Sequence, residues 1–281
     1  ISILGRPVNR TVGMKSRFYG YDGCSCTVEE LALQHYAKEE YGQWVGVHSE
    51  NGIWNTLFGI LMWDVLFADV PDVFRTPFQT APLDLDTDAF YPARRDLIEV
   101  HLLAIQEGNA QDMIAHCWAE REGTLCRGVN WERHSLSELQ VIAACIGGDG
   151  LAAVCRLLAE DHVAWSGGMP DLLLWRERKL APEKGEGTLP GNANGGNAHG
   201  SHAPDYDAKF GKGNGEEGVS PTQRNRERDI TLREAKLVEV KGPRDRLSEQ
   251  QMAWIDALVS AGLDVEVCKV VESIEDADVS N

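Results

Sequence analysis

The chain is predicted to be an α/β protein in which two strands, a helix and a third strand form a core behind a helical front half. Three observations predict it. Met169-Pro170-Asp171-Leu172-Leu173-Leu174 and Leu237-Val238-Glu239-Val240-Lys241 are short apolar runs beside Gly and Pro, as buried strands are. Ser248 to Ala261 has helical spacing and a Gly262 stop, and Val265 to Val271 alternates as a closing strand. Residues 27 to 161 read mostly as amphipathic helices.

Taken in order, the stretch to about Cys26 scatters Gly5, Pro7, Gly13, Gly20 and Gly23 among basic residues and is expected to be irregular or short-stranded. Thr27 and Glu30 have capping-box spacing before Leu31, Leu33, Ala37 and Tyr41, so a helix is predicted, ended by Gly42. Ile53, Leu57, Ile60, Leu61, Val65 and Leu66 are spaced for the buried face of a second helix, with Pro71 and Pro77 beyond its exit. Pro82 to Asp88 is an acidic loop, and Tyr91 to Glu107 and Asp112 to Glu122 carry helical spacing. Ser135 and Glu138 repeat the capping spacing before a helix closed by Gly147-Gly148, and Gly150 to Asp161 forms another. In the helix after Ser248, Met252, Ile255, Leu258 and Val259 are expected to face the sheet.

From Ala181 to about Arg228 the composition turns to Gly, Asn, Glu, Lys and Pro. Too few apolar residues oppose the entropy of ordering, so a disordered insertion is predicted, one that parts Asp171 from Glu239 in sequence and not in space. The expected divisions are a helical front half at 1–160, a core at 161–272 carrying the insertion at about 181–228, and an acidic tail at 273–281.

In an extended strand Leu237, Glu239 and Lys241 share one face and Val238 and Val240 the other. A neighbouring strand can bring Asp171 beside Glu239. Two carboxylates with the Val240 carbonyl between them suit Mg²⁺ or Mn²⁺, and Lys241 can orient a water or offset charge developing on a phosphate. The chemistry suggested is phosphodiester hydrolysis. Glu-x-Lys alone is commonly a solvated ion pair contributing at most about 1 kcal/mol. Its setting is more specific: Gly242-Pro243 turn the chain, and Ser248 and Gln251 cap the next helix. Gln251 faces back from that helix start, where a contact with the site and plain cap polarity are equal readings.

Pro170-Asp171, Glu239-Val240-Lys241 and a helix opening with glutamines resemble the PD-(D/E)XK nuclease core, a mixed sheet flanked by helices. The wording Gly-Gly-Met-Pro-Asp-Leu, Leu-Val-Glu-Val-Lys-Gly-Pro, Asp-Arg-Leu-Ser and Gln-Met-Ala-Trp is similar to its virus-type replication-repair branch, the VRR-NUC nucleases, and among them the Fanconi-associated nucleases. The similarity runs from Gly-Met-Lys-Ser-Arg-Phe near the start to Val-Glu-Val-Cys-Lys-Val-Val near the end. It implies a catalytic set of Glu50, Asp171, Glu239 and Lys241, with metal held by Glu50, Asp171, Glu239 and the Val240 carbonyl. Glu50 enters through the family's His-x-Glu segment; a simpler reading has it complementing a helix dipole, about 0.3–1 kcal/mol. His48 is read as a packed or surface histidine. The resemblance further implies cutting near 5′ flaps and trimming from 5′ ends of branched or crosslinked DNA during interstrand-crosslink repair in the nucleus, with other repair proteins as partners. The long insertion departs from the family. A non-cleaving, nuclease-derived scaffold is the alternative, opposed by the retention of all four residues; a restriction-type or Holliday-junction enzyme would lack the helical front half.

The net charge of −17 has the wrong sign for gripping DNA by phosphate neutralisation alone, which argues against a simple binding module. Positive charge is confined to patches: Arg6 to Arg17, Arg94-Arg95, Arg224 to Arg233, and Lys241 with Arg244 and Arg246. Seven cysteines without a CxxC pair argue for reduced thiols inside a cell; Cys24-x-Cys26 has no histidine pair to make a zinc site. No apolar run reaches the length of a membrane span, so a soluble chain is expected. No charged-then-apolar leader precedes a cleavage site, so no secretory signal is expected, and Ile1 in place of Met points to a fragment.

Overall fold

The computed structural model describes residues 1–8, 15–49, 52–179 and 231–273. Glu50, the whole of the predicted insertion and the tail beyond Ser273 lie outside them. The chain divides into one unit of Ile1–Arg178 with Leu232–Asn281 and another of Lys179–Thr231. Apart from the strand ends Lys179 and Thr231, every element below belongs to the first.

The elements are β1 (Ser2–Pro7), β2 (Phe18–Tyr19), β3 (Ser25–Cys26), α1 (Val28–Ala37), β4 (Val45–His48), α2 (Gly52–Leu61), α3 (Trp63–Leu66), α4 (Phe90–Ala104), α5 (Ala110–Arg121), α6 (Leu136–Ile146), α7 (Gly148–Glu160), α8 (His162–Trp165), β5 (Leu172–Lys179), β6 (Thr231–Lys241), α9 (Glu249–Ser260) and β7 (Asp264–Glu272). The strands form one mixed sheet in the order β3-β2-β1-β7-β6-β5-β4. β6 and β1 both run parallel to β7, while β4 is antiparallel to β5. Parallel neighbours need a crossover, and α9 supplies it between β6 and β7.

Helices and strands alternate between two cores. The larger joins Leu173, Trp175 and Leu237 to α2, α4, α5, α6, α7 and α9. The smaller joins Leu172, Leu174, Val238, Val240, Cys268 and Val270 to Leu31 and Ala32 of α1. The alternation expected of β6 is thus observed residue by residue. α1 begins with the predicted capping box of Thr27 and Glu30, and Ser135 caps α6 by accepting from the Glu138 N–H.

The front half contributes more strand than its sequence suggests. β1 buries Ile3 and Gly5 in alternation and lies against β7, and β4 lies against β5 with Gly46 opposite Leu174. Leu174 Cδ2 leaves no room for a Cβ there, so Gly46, which weakens a strand signal, is what lets β4 approach. The face expected for α9 needs correcting. Trp254 and Leu258 are buried, whereas Met252 and Val259 are about half exposed. The helix is anchored by the indole, whose Nε1 donates to the Gly167 carbonyl at 2.7 Å, which rotates the apolar stripe away from Met252. Removing a side chain so buried costs about 3–5 kcal/mol. Arg94 leaves the candidate phosphate-binding patches: it is 3% exposed and forks onto Asp84 at 2.7 and 3.1 Å.

Six of the seven cysteines are buried and Cys24 is exposed. Burial pushes the thiols of Cys117, Cys126 and Cys155 up to about 12 and that of Cys268 to about 11. No single helix among the described residues is long and apolar enough to cross a membrane.

Candidate active site

β5 and β6 are neighbours, and Asp171 immediately precedes β5. Its Oδ2 accepts from the Val240 backbone N–H at 2.8 Å, so the two sequence-predicted carboxylates meet at one end of the sheet. The backbone carrying Asp171 is fixed from two sides. Ser49, just past β4, donates its Oγ to the Pro170 carbonyl at 2.6 Å and its N–H to the Asp171 carbonyl at 2.7 Å. On the other side Gly168, at φ +80°, lies so close to α9 that a Cβ would stand 2.5 Å from Cγ of Gln250. The second glycine of the Gly-Gly motif is therefore a requirement of that approach.

Glu239 is fully buried, and Lys241 Nζ stands 2.6 Å from its Oε1. Gln251 uses both ends of its amide here. Nε2 donates to Glu239 Oε1 at 2.6 Å, while Oε1 accepts from Lys241 Nζ and from the Ser248 N–H, each at 3.0 Å. Of the two sequence readings for Gln251 both are right: it closes the α9 capping box and it clamps the Glu239–Lys241 pair.

Burial raises the Glu239 carboxyl well above the usual range; Lys241 pulls it back, and the charge of Asp171 pushes it further up. Asp171 is raised too, by burial first, with the Val240 N–H acting against it, Glu29 adding to the rise and His48 opposing it. Glu239 Oε2 is buried without a hydrogen-bond partner. Burial of that oxygen beside Asp171 disfavours its ionised form. A divalent cation held by Asp171 and Glu239 would favour the ionised form again, so these residues fit the metal that the donor chemistry suggested.

Glu50 lies outside the described residues, and the Val240 carbonyl is placed by the same backbone whose N–H meets Asp171. Sequence reasoning missed Glu29, and it set His48 aside. Both carry a ligand atom within a group, shared with Asp171, whose members all lie within 4.8 Å of one another. Glu29 sits in the first turn of a capped helix, where an acid ordinarily complements the helix dipole, so nothing local distinguishes it. Arg244 and Arg246 are exposed just beyond Lys241.

Residues 105–189 and 218–272 match the VRR-NUC domain family. The chain is 50% identical over 270 residues to the Fanconi-associated nuclease 1 homolog of Oryza sativa subsp. japonica, covering 96% of this chain and 23% of that protein. Its identity to the Arabidopsis thaliana homolog is 45% over 270 residues, with 96% and 25% covered, and to the Homo sapiens Fanconi-associated nuclease 1 it is 36% over 251, with 88% and 19% covered. The chain thus spans a quarter or less of the length of these relatives. The crystal structure of paFAN1 bound to 2-nucleotide 5′-flap DNA with a gap has the same fold, at a TM-score of 0.65 and 24% identity over 98% of this chain and 38% of that one. The chain carries a VRR-NUC domain, of the PD-(D/E)XK nuclease type, and over nearly its whole length resembles the Fanconi-associated nucleases.

Proposed function

We propose that this chain is the catalytic part of a structure-specific DNA nuclease that hydrolyses phosphodiesters with Mg²⁺ or Mn²⁺. The observation that carries the reading is the buried, partnerless Oε2 of Glu239 set against Asp171, with one ammonium, Lys241, clamped beside them. Asp171, Glu239 and the Val240 carbonyl would hold the ion, with Glu50 as a further ligand. Such an ion would polarise the phosphoryl oxygen and make a nearby water more acidic.

The protein's own groups supply the rest. Gln251 accepts from Lys241, so the ammonium is presented beside Glu239, where a water can be oriented or phosphate charge offset. The exposed Arg244 and Arg246 can meet the DNA backbone next to the cutting point, which suits a chain whose overall charge repels DNA. The names of the relatives and the flap DNA in the solved neighbour support nuclease action at 5′ flaps; 5′-to-3′ exonuclease activity, interstrand-crosslink repair, the nucleus and other repair proteins as partners are what the family resemblance implies.

Incubation of the chain with 5′-flapped, nicked and single-stranded DNA, with Mg²⁺, Mn²⁺ or a chelator, tests this. Metal-dependent cutting near the flap junction is expected. Binding of flap DNA with no cleavage under any metal would support the scaffold alternative instead.

A further inference from the structure

Past β6 the sheet continues through β7, β1 and β2, and its two faces differ there. Cys268 and Val270 of β7, Ile3 of β1 and Phe18 of β2 point into the smaller core on the side of α1. Side chains alternate along a strand, so the acids of β7, Asp264, Glu266 and Glu272, share that side. The opposite side carries Lys269 and Val271 from β7, Leu4 and Arg6 from β1 and Tyr19 from β2, with no carboxylate from any of these strands. In a chain of net charge −17 that is a sorted surface. It is also open: Leu4 is 72% exposed and Tyr19 and Val271 are each 37% exposed. Arg6 lies opposite Tyr19 and sets its guanidinium 4.3 Å from the ring centroid, and Arg17 adds a third cation there, donating to Ser25 Oγ at 2.8 Å. This face begins at the active site, because Lys269 is the register partner of Lys241 on one side and of Ser2 on the other. With strands about 4.8 Å apart and a rise of about 3.3 Å per residue, Arg6 stands roughly 16 Å from Lys241, a reach of a few nucleotides.

We propose that the open face of β7, β1 and β2 is a platform for an unpaired DNA strand beside the cleavage point, with a base stacked on the Tyr19–Arg6 pair and phosphates met by Lys269 and its neighbouring cations. The inference rests on the reading of this chain as a DNA nuclease. A duplex hides its base faces and offers such a surface phosphates alone, which leaves Leu4, Val271 and the Tyr19 ring without a counterpart. An unpaired strand presents both, and a sheet face with an aromatic ring among cations suits it.

The test is fluorescence anisotropy of the whole chain at low salt with a chelator present, so that nothing is cut. A nicked duplex is compared with the same duplex bearing a 5′ oligothymidine flap. The wild type should bind the flapped DNA more tightly, and Tyr19→Ala should weaken that binding by roughly tenfold while Tyr19→Phe keeps it. Arg6→Gln and Lys269→Gln should each lower the salt slope for free oligothymidine by about 0.7. All four positions of change are on the surface, so melting temperatures should match the wild type. Iododeoxyuridine placed in the flap should, on irradiation, crosslink to the peptide that contains Tyr19. Equal wild-type affinity for the two duplexes, wild-type flap affinity in Tyr19→Ala, unchanged slopes in Arg6→Gln and Lys269→Gln, or crosslinks confined to other peptides would each overturn the platform and leave the nuclease reading standing. A wild type that binds neither duplex, and cuts neither with Mg²⁺ or Mn²⁺, would overturn both.

Discussion

The same two strands, β5 and β6, carry charged residues at both ends, and the two ends are organised differently. At the end away from the site Glu234 meets Arg176 at 2.7 Å and Glu177 meets Arg233 at 2.8 Å, and beside them Lys236 of β6 bridges Asp264 and Glu266 of β7, each at 3.0 Å. At the site end Lys241 meets Glu239 on one oxygen, Asp171 is answered by a backbone N–H, and the second oxygen of Glu239 has no partner. Charge is balanced where it only joins strands and is left in deficit where the carboxylates are buried. The contrast separates acids that join the strands from the acids proposed above to hold a cation.

The largest effect should come from the deficit end. Asp171→Asn or Glu239→Gln is expected to lower single-turnover DNA cleavage by roughly 10²–10³-fold or more, because charge stabilisation in the transition state is lost. Asp171→Asn should leave the melting temperature near that of the wild type, whereas Glu239→Gln should lower it, because it breaks the buried pair with Lys241. A fall in melting temperature with cleavage intact would place these carboxylates with the balanced pairs. Lys241→Met should reduce turnover by about 10²-fold with Mn²⁺ affinity largely kept; calorimetry showing lost affinity would make Lys241 a structural partner of Glu239.

Gln251 sharpens the comparison because it serves both purposes. Gln251→Glu keeps the oxygen that accepts from the Ser248 N–H but loses the donor to Glu239, so cleavage should fall about tenfold while thermal stability holds. Gln251→Ala loses the cap as well, a further cost of about 1 kcal/mol in urea denaturation. Equal effects of the two variants would show that Gln251 acts through the helix alone. At the balanced end Glu234→Gln should cost about 1 kcal/mol of stability and leave cleavage unchanged.

The smallest effect is a pH response in the front half. The Arg156 guanidinium, with Tyr91, holds the Glu99 carboxyl down to about 2. A depressed carboxyl binds its proton more weakly folded than unfolded, so its contribution is full above the ordinary carboxylate range and is lost as pH falls toward about 2. Glu99→Gln should flatten that acid limb in a melting-temperature series. A limb unchanged in the variant would assign the acid response to other groups.

Much of this arrangement was legible in the chain because it is local. The period of two in Leu237 to Lys241 puts Glu239 and Lys241 on one side, and the capping box at Ser248 locates Gln251, so three of the site groups follow from spacing within one short segment. Asp171 was legible through its Gly-Gly-Met-Pro setting. Glu29 and His48 were not, because their tie to Asp171 depends on the register of β4 against β5 and on α1 covering that pair. β4 itself was hidden by Gly46, and the face of α9 was misjudged because a single indole bond to Gly167 outweighs a run of smaller apolar residues.

The burial of the cysteines has a consequence of another kind. Thiolate is the form that an alkylating reagent attacks, so at neutral pH the native chain offers Cys24 first, and a brief maleimide pulse marks the β2–β3 turn. The remaining thiols react only as fast as the layers above them open. Cys117, Cys126 and Cys155 then serve as clocks for the larger core and Cys268 for the smaller, and mass spectrometry of timed samples reads which side of the sheet breathes first.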